Sequence, residues 1–170
     1  DSHRQIAQQT VDAGHEFGNH LTADEPSIRL SPEEFEADLL TAEQALLPFV
    51  QSTQANATLK WLRPGMGFYN QEMVNTAQRH GYQIVLGSVF PYDTYIPSSA
   101  FASAFILRTV QPGDIVVLHD GGKKEDAEAA TRGKRTIQTL KTILPALQAR
   151  GYEITTVSEL VAHSQHSVKK

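Results

Sequence analysis

Apolar residues recur every three or four positions in several stretches of the chain, which is the spacing of one face of an α-helix. The clearest stretch follows Ser31, where Ser31 and Glu34 have the spacing of a capping box and Pro32 occupies the first helical position. Ser158 is predicted to cap a short last helix. Further helices are predicted at 3–13, 70–80, 100–110 and 132–150.

Five short runs between these helices predict β-strands, and LKWLRP (59–64) is predicted to be a buried one. The other runs are HEFGNH (15–20), YQIVLGSV (82–89), IVVLH (115–119) and YEITTV (152–157). Because strand and helix alternate along the whole chain, the predicted fold is α/β with a parallel sheet, either open or closed into a barrel.

The composition narrows the domain count and the function classes. A chain of 170 residues, 40% hydrophobic and 20% charged, is typical of one globular domain, which we place at 1–163 with a disordered tail at 164–170. A net charge of −4 argues against nucleic-acid binding, and no apolar run has the length of a membrane span. Without cysteine, a metal ion must be held by His, Asp or Glu. The oligomeric state stays open.

Polar side chains stand where the predicted strands end. His20, Arg63 and His119 each close or nearly close a strand, and Tyr92 and Asp93 follow another. In parallel α/β folds functional groups gather at the carboxyl ends of strands. We therefore expect these residues to open on the same end of the sheet.

Two histidine segments are candidates for chemistry. His20 and Asp24 stand four residues apart, and imidazole with carboxylate is a normal ligand pair for zinc, although a turn aspartate beside a hydrogen-bonded histidine has the same spacing. His119 precedes Asp120 and two glycines, and it is either a general acid or base or a satisfied core histidine. His15 and Glu16 are interpreted as structural support.

The segment RPGMGFYN places Arg63 before a loop that contains glycine and proline. Such a loop exposes backbone N–H groups, which can receive a developing oxyanion, while an arginine beside it can hold a carboxylate. A surface arginine at the start of a loop is the plain alternative.

Taken in order, GHEFGNHxxxD, RPGMGFYN, PYDT and VVLHDGG resemble the blocks of the polysaccharide deacetylases, carbohydrate esterase family four. The resemblance implies a distorted (β/α) barrel of about seven strands. It implies removal of the acetyl group from N-acetylated sugars, such as those of chitin or peptidoglycan, with an acetylated glycan as the partner. It also implies a location outside the cytoplasm or in the cell envelope.

The same resemblance implies roles for single residues. His20 and Asp24 would hold a divalent metal ion, with zinc the first choice. Arg63 would orient the catalytic aspartate, the Met66 amide would help bind the oxyanion, and His119 would protonate the departing amine. The residues expected against substrate are Tyr92, Asp93 and Leu118, and Thr94 stands where many members have tryptophan.

One block of the family pattern has no counterpart. The family's catalytic base and first metal ligand come from an Asp-Asp block on the first strand, and no such block precedes His15. We therefore expect an N-terminally incomplete barrel of about five strands, inactive by itself, weak in metal binding and prone to pair through an open edge. The alternatives are a non-catalytic carbohydrate-binding module or pseudoenzyme, and an amide hydrolase acting on a small non-glycan substrate.

Overall fold

The structure is a computed structural model that describes residues 2–23, 25–53, 57–121 and 129–167. The chain divides into two compact units, Asp1–Leu86 and Gly87–Lys170. None of the helices in the described ranges is both long and apolar enough to cross a membrane.

The first unit contains three α-helices and a short parallel sheet. The helices are α1 (Ser2–Asp12), α2 (Pro32–Thr53) and α3 (Gln71–Arg79), and the strands are β1 (Trp61–Leu62) and β2 (Gln83–Ile84). Trp61 pairs with Gln83 and Leu62 with Ile84. A single parallel bridge joins Asn19 to Leu62 on the other side of β1, so three chain segments lie side by side.

Helix α2 begins as its sequence predicts. The Ser31 hydroxyl accepts a hydrogen bond from the Glu34 amide at 3.2 Å, and the Glu34 carboxylate accepts one from the Ser31 amide at 2.8 Å. This reciprocal capping box satisfies two amides that the first turn leaves without a helical partner. The helix then buries one face in the core of the first unit, whose members are Phe35, Leu39, Leu59, Leu62, Met73, Ala77 and Tyr82.

The second unit contains α4 (Ser99–Thr109), α5 (Ala129–Ala149) and α6 (Val157–Ser167). Its one bridge among the described residues is parallel and joins Val89 to Val116. The Ser98 hydroxyl caps α4 by accepting from the Phe101 amide at 3.2 Å. The buried core of this unit consists of Val89, Ile106, Ile143 and Leu147.

Four of the predicted strands take part in parallel pairing, but the paired segments are much shorter than the predicted strands. The runs 15–20 and 115–119 contribute one bridge residue each within the described part of the chain. The fifth run, 152–157, forms no strand, because Thr156 caps α6 and the helix starts at Val157. Ser158, predicted as the cap, therefore lies inside the helix. Helix α6 runs to Ser167, beyond the predicted domain boundary at 163.

Candidate active site

The bridge at Asn19 sets His20 beside Arg63. The Asn19 amide donates to the Trp61 carbonyl at 2.8 Å, and the Asn19 carbonyl accepts from the Arg63 amide at 2.9 Å. The residues that follow on the two parallel segments are therefore neighbours. Two of the predicted site residues meet here through backbone pairing.

Both ring nitrogens of His20 contact Arg63. Nδ1 lies 2.5 Å from the Arg63 carbonyl oxygen, and Nε2 lies 2.9 Å from Nη2 of the Arg63 guanidinium. One proton arrangement satisfies both contacts: Nδ1–H donates to the carbonyl, and the Nε2 lone pair accepts from the guanidinium. Metal-binding histidines commonly donate one ring N–H to a backbone carbonyl, which aims the other nitrogen at the metal. In this arrangement the Nε2 lone pair is taken by the Arg63 guanidinium, so binding of a metal ion through Nε2 requires the guanidinium to move away from the ring.

Asn19 fixes the backbone around His20, a role that the sequence did not reveal. Its buried amide group donates to the Leu39 carbonyl at 3.0 Å and to the Tyr82 hydroxyl at 3.3 Å. Its side-chain oxygen accepts from the Leu21 amide at 2.8 Å, and Leu21 has a left-handed φ of 64°. Burial raises the pKa of Tyr82 to about 12 although its contact with Asn19 lowers it. The sequence carries no signal that singles out Asn19, because its partners Leu39 and Tyr82 are 20 and 63 residues away.

The turn after His20 is also held from α2. The Asp38 carboxylate accepts from the Thr22 amide at 3.2 Å and from the Thr22 hydroxyl. Asp24, the second predicted ligand, lies outside the described residues. Within the described residues no group of three or more His, Asp or Glu side chains is placed to hold a metal ion. The ligand pair of His20 and Asp24 stays a prediction.

The loop after Arg63 needs glycine at its first turn. A Cβ atom on Gly65 would lie 2.0 Å from the Glu25 carbonyl oxygen, and the Gly65 amide donates to the Ser27 hydroxyl at 2.6 Å. Met66 and Gly67 then adopt left-handed φ values of 53° and 75°. The loop therefore has a tight, well-tied backbone, and the Met66 amide remains the predicted oxyanion donor.

Glu16 lies against the indole of Trp61 on β1. The Glu16 carboxylate accepts a hydrogen bond from the Trp61 indole at 3.0 Å, and His15 is exposed. That His15 and Glu16 support a metal site stays a prediction.

In the second unit, backbone pairing brings Asp93 to His119. The Val89 amide donates to the Ile115 carbonyl at 3.1 Å, and the Val117 amide donates to the Val89 carbonyl at 3.0 Å. The two segments run parallel from this point, so the residues a few positions later lie near one another.

One carboxylate binds two groups of the same histidine. Asp93 Oδ2 accepts from the His119 backbone amide at 2.7 Å, and Asp93 Oδ1 lies 3.0 Å from His119 Nδ1. An ionised carboxylate only accepts hydrogen bonds, so Nδ1 carries a proton. Nε2 is then the ring nitrogen that Asp93 does not bind. Asp93 is 8% exposed, and the His119 side chain is 16% exposed.

The charge state of Asp93 depends on this contact. Burial alone raises the pKa of the Asp93 carboxyl, but the hydrogen bonds and the charge of His119 outweigh burial and hold the pKa below its usual range. Asp93 is therefore an anion at neutral pH. The structure places this residue, predicted to contact substrate, against the predicted general acid.

Aromatic rings surround His119. The Phe90 ring meets the imidazole edge to face with 5.7 Å between centroids, and Tyr92 packs against Phe90 at 5.3 Å. Tyr92 has a left-handed φ of 56° and is about half exposed. Leu118 packs partly buried against the core of the second unit. The structure thus forms two separate pairs of predicted site residues. His20 contacts Arg63 in the first unit, and Asp93 contacts His119 in the second unit. That all four open on one end of the sheet stays a prediction.

Comparison with known proteins identifies the family. A family model described as polysaccharide deacetylase matches residues 1–85. A chitooligosaccharide deacetylase from Bradyrhizobium sp. (strain ANU 289) is 31% identical over 92% of this chain and 71% of its own length. A peptidoglycan-N-acetylglucosamine deacetylase from Bacillus cereus is 31% identical over 93% of this chain and 68% of its own length. The chain belongs to the polysaccharide deacetylase family.

Solved structures support the same fold. A family 4 acetyl xylan esterase from Clostridium thermocellum, in complex with a cobalt ion, matches with a TM-score of 0.77 and 25% identity over 95% of this chain and 71% of that chain. A family 4 pseudoenzyme from Bacillus anthracis matches with a TM-score of 0.75 and 23% identity over 92% of this chain. The chain spans 50% of the length of that pseudoenzyme. The predicted fold, a part of the deacetylase (β/α) barrel, is confirmed.

Proposed function

We propose that this chain is the portion of a metal-dependent deacetylase that removes the N-acetyl group from an amino-sugar polymer or oligomer of the chitin or peptidoglycan type. The observation that carries the proposal is the contact between Asp93 and His119, because a carboxylate that holds Nδ1–H leaves Nε2 as the nitrogen that exchanges a proton with substrate. The two curated relatives, which are deacetylases of such glycans, support the substrate class.

In this proposal His119 is the general acid. Hydrolysis of an N-acetyl group adds water to the acetyl carbonyl carbon and breaks its bond to nitrogen, giving acetate and an amine. The amine leaves well only when its nitrogen is protonated, and the imidazolium of His119 supplies that proton from Nε2. The negative charge of Asp93 stabilises the imidazolium and keeps the ring in one orientation. Asp93 is thus a positioning residue, while Tyr92 and Leu118 remain the substrate contacts.

We assign His20 and Asp24 as ligands of a divalent metal ion, with zinc the first choice. When bound, such an ion polarises the acetyl carbonyl and lowers the pKa of water. The Nδ1–H bond of His20 to the Arg63 carbonyl makes Nε2 the ligating atom, and the Arg63 guanidinium, which now donates to Nε2, moves off it when the metal binds. Arg63 keeps a positive charge beside His20, suited to orienting a catalytic carboxylate. The Met66 amide is the oxyanion donor.

One role is still without a residue: the carboxylate that accepts the proton of water, which is the catalytic base. The sequence contains no Asp-Asp pair, which is the block that supplies this base in the family pattern. We therefore assign that role to a carboxylate outside residues 1–170. Asp93 and Asp120 are the first candidates if the base lies within them.

The test measures acetate released from N-acetylglucosamine oligomers with added zinc. It compares residues 1–170 with an extended chain, defined as the same residues preceded by a segment that carries the family's Asp-Asp pair. We expect release by the extended chain and none by residues 1–170. Equal, His119-dependent release by both would show that the base lies within this sequence. No release by either, from folded protein, would contradict the deacetylase proposal.

A second candidate is a non-catalytic carbohydrate-binding protein or pseudoenzyme. It is favoured by the missing Asp-Asp pair and by the fold similarity to the Bacillus anthracis pseudoenzyme. Binding of the same oligomers by the extended chain without acetate release would support it. The remaining alternative, hydrolysis of small non-glycan amides, predicts faster release from acetylated amines than from the oligomers.

A further inference from the structure

His119 is held at its backbone as well as at its ring. Its amide and its Nδ1 both contact the Asp93 carboxylate. Its carbonyl oxygen accepts a third hydrogen bond, from the hydroxyl of Thr136 on α5. Three atoms of one residue are therefore tied to two side chains from different parts of the second unit.

Thr136 differs from other threonines of the same helix. The hydroxyls of Thr139 and Thr142 donate to carbonyls of α5 itself, those of Arg135 and Gln138. The Thr136 hydroxyl donates instead to His119, which precedes it by 17 residues. Its hydrogen bond therefore links α5 to the segment that carries the general acid.

This contact is partly buried. Thr136 and Asp93 line one small cavity of about 10 Å³, which has room for about one water molecule. Among the residues that the structure describes, His119 contacts Asp93, and Arg132 and Arg135 line the same cavity. Hydrogen bonds in a partly buried network strengthen one another, so the loss of one affects its neighbours.

We infer that Thr136 is a positioning residue that fixes the peptide of His119 and thereby holds its imidazole on Asp93. The role rests on the proposed function, since His119 must act as the general acid for the positioning to matter to turnover. The physical reason is that the carbonyl, the amide and the ring share one backbone. When the carbonyl is no longer held to α5, the segment around His119 is free to shift, and such a shift lengthens the contacts of the amide and Nδ1 to Asp93.

The experiment compares Thr136→Val, which keeps the shape and removes the donor, with Thr136→Ser, which keeps the donor. Thr142→Val is the matched control, because it makes the same change on the same helix at an exposed position. The first measurement is the titration of the Asp93 carboxyl by carbon-13 NMR in residues 1–170. This measurement does not depend on deacetylase activity. We expect T136V to raise the pKa of Asp93 towards its ordinary value, because the contacts to His119 that lower it are weakened.

The second measurement is kcat and KM of the extended chain. We expect T136V to lower kcat by roughly three- to tenfold, the worth of one hydrogen bond, with KM nearly unchanged. T136S and T142V should match the parent protein in both measurements. If T136V does not fold, Thr136→Cys replaces it, because a thiol is a poor donor and differs from serine by one atom.

The outcomes separate this inference from the proposed function. An unchanged Asp93 titration in folded T136V would overturn the inference even if the extended chain is fully active. An equal change in T142V would overturn it as well. A shifted titration in a protein without deacetylase activity would support the positioning role and contradict the proposed function.

Discussion

At the scale of single residues, Asp93 decides how His119 is presented. One of its oxygens holds the backbone amide and the other holds the ring nitrogen. The sequence singled out both residues, but as a substrate contact and a general acid. Their partnership depends on the register of Val89 against Val116, and residue spacing does not contain that register. The rule that strand ends share one edge was the signal that could have suggested it.

Asp93→Asn tests this contact through the pH dependence of stability. The pKa of Asp93 is lowered in the folded protein, so near pH 3 to 4 the unfolded state binds more protons. The contribution of Asp93 is therefore present above its ordinary pKa and is lost as the pH falls through the lowered value. We expect D93N to reduce the free energy of unfolding by about 1–3 kcal/mol near pH 6 and by much less near pH 3.

Urea unfolding at several pH values measures both proteins, with the exposed Asp120→Asn as the matched control. All other carboxylates contribute equally to D93N and to the parent protein, so their difference isolates Asp93. A difference that stays constant from about pH 6 to pH 3 would contradict the assigned contact.

At the scale of secondary-structure elements, local signals predicted the helices better than the strands. The capping box at Ser31 forms as the sequence indicates, because every group it needs lies within four residues. The run YEITTV has strand-like composition, yet its Thr156 and the Glu159 that follows the run have capping-box spacing. The box forms, since a cap needs only its own turn whereas a strand needs a partner.

Thr156→Ala tests the assignment of this cap. The Thr156 hydroxyl accepts from the Glu159 amide at 3.3 Å, and the Glu159 carboxylate accepts from the Thr156 amide at 2.8 Å. We expect T156A to cost about 0.5–2 kcal/mol of unfolding free energy, the usual worth of such a cap. Ser158→Ala, at the position first predicted as the cap, should cost less in the same urea titration. The opposite order would show that α6 begins later than Val157.

At the scale of the whole molecule, the order of the sequence blocks predicted the family and the fold. Each block alone is a weak signal, but their order over the chain matches relatives along more than nine-tenths of its length. The short sheet and the hydrogen bonds of Asn19 could not be predicted in this way, because both depend on which segments become neighbours. Long-range pairing and side-chain partnership are the parts that required the structure.

The central claim is that His119, held by Asp93, delivers the proton that releases the amine. The most direct measurement is acetate release from N-acetylglucosamine oligomers by the extended chain carrying His119→Gln, with the exposed His163→Gln as the matched control. The account predicts a kcat about 10²- to 10⁴-fold lower for H119Q, with KM little changed and H163Q unaffected. A folded H119Q protein that releases acetate at the parent rate would contradict the account.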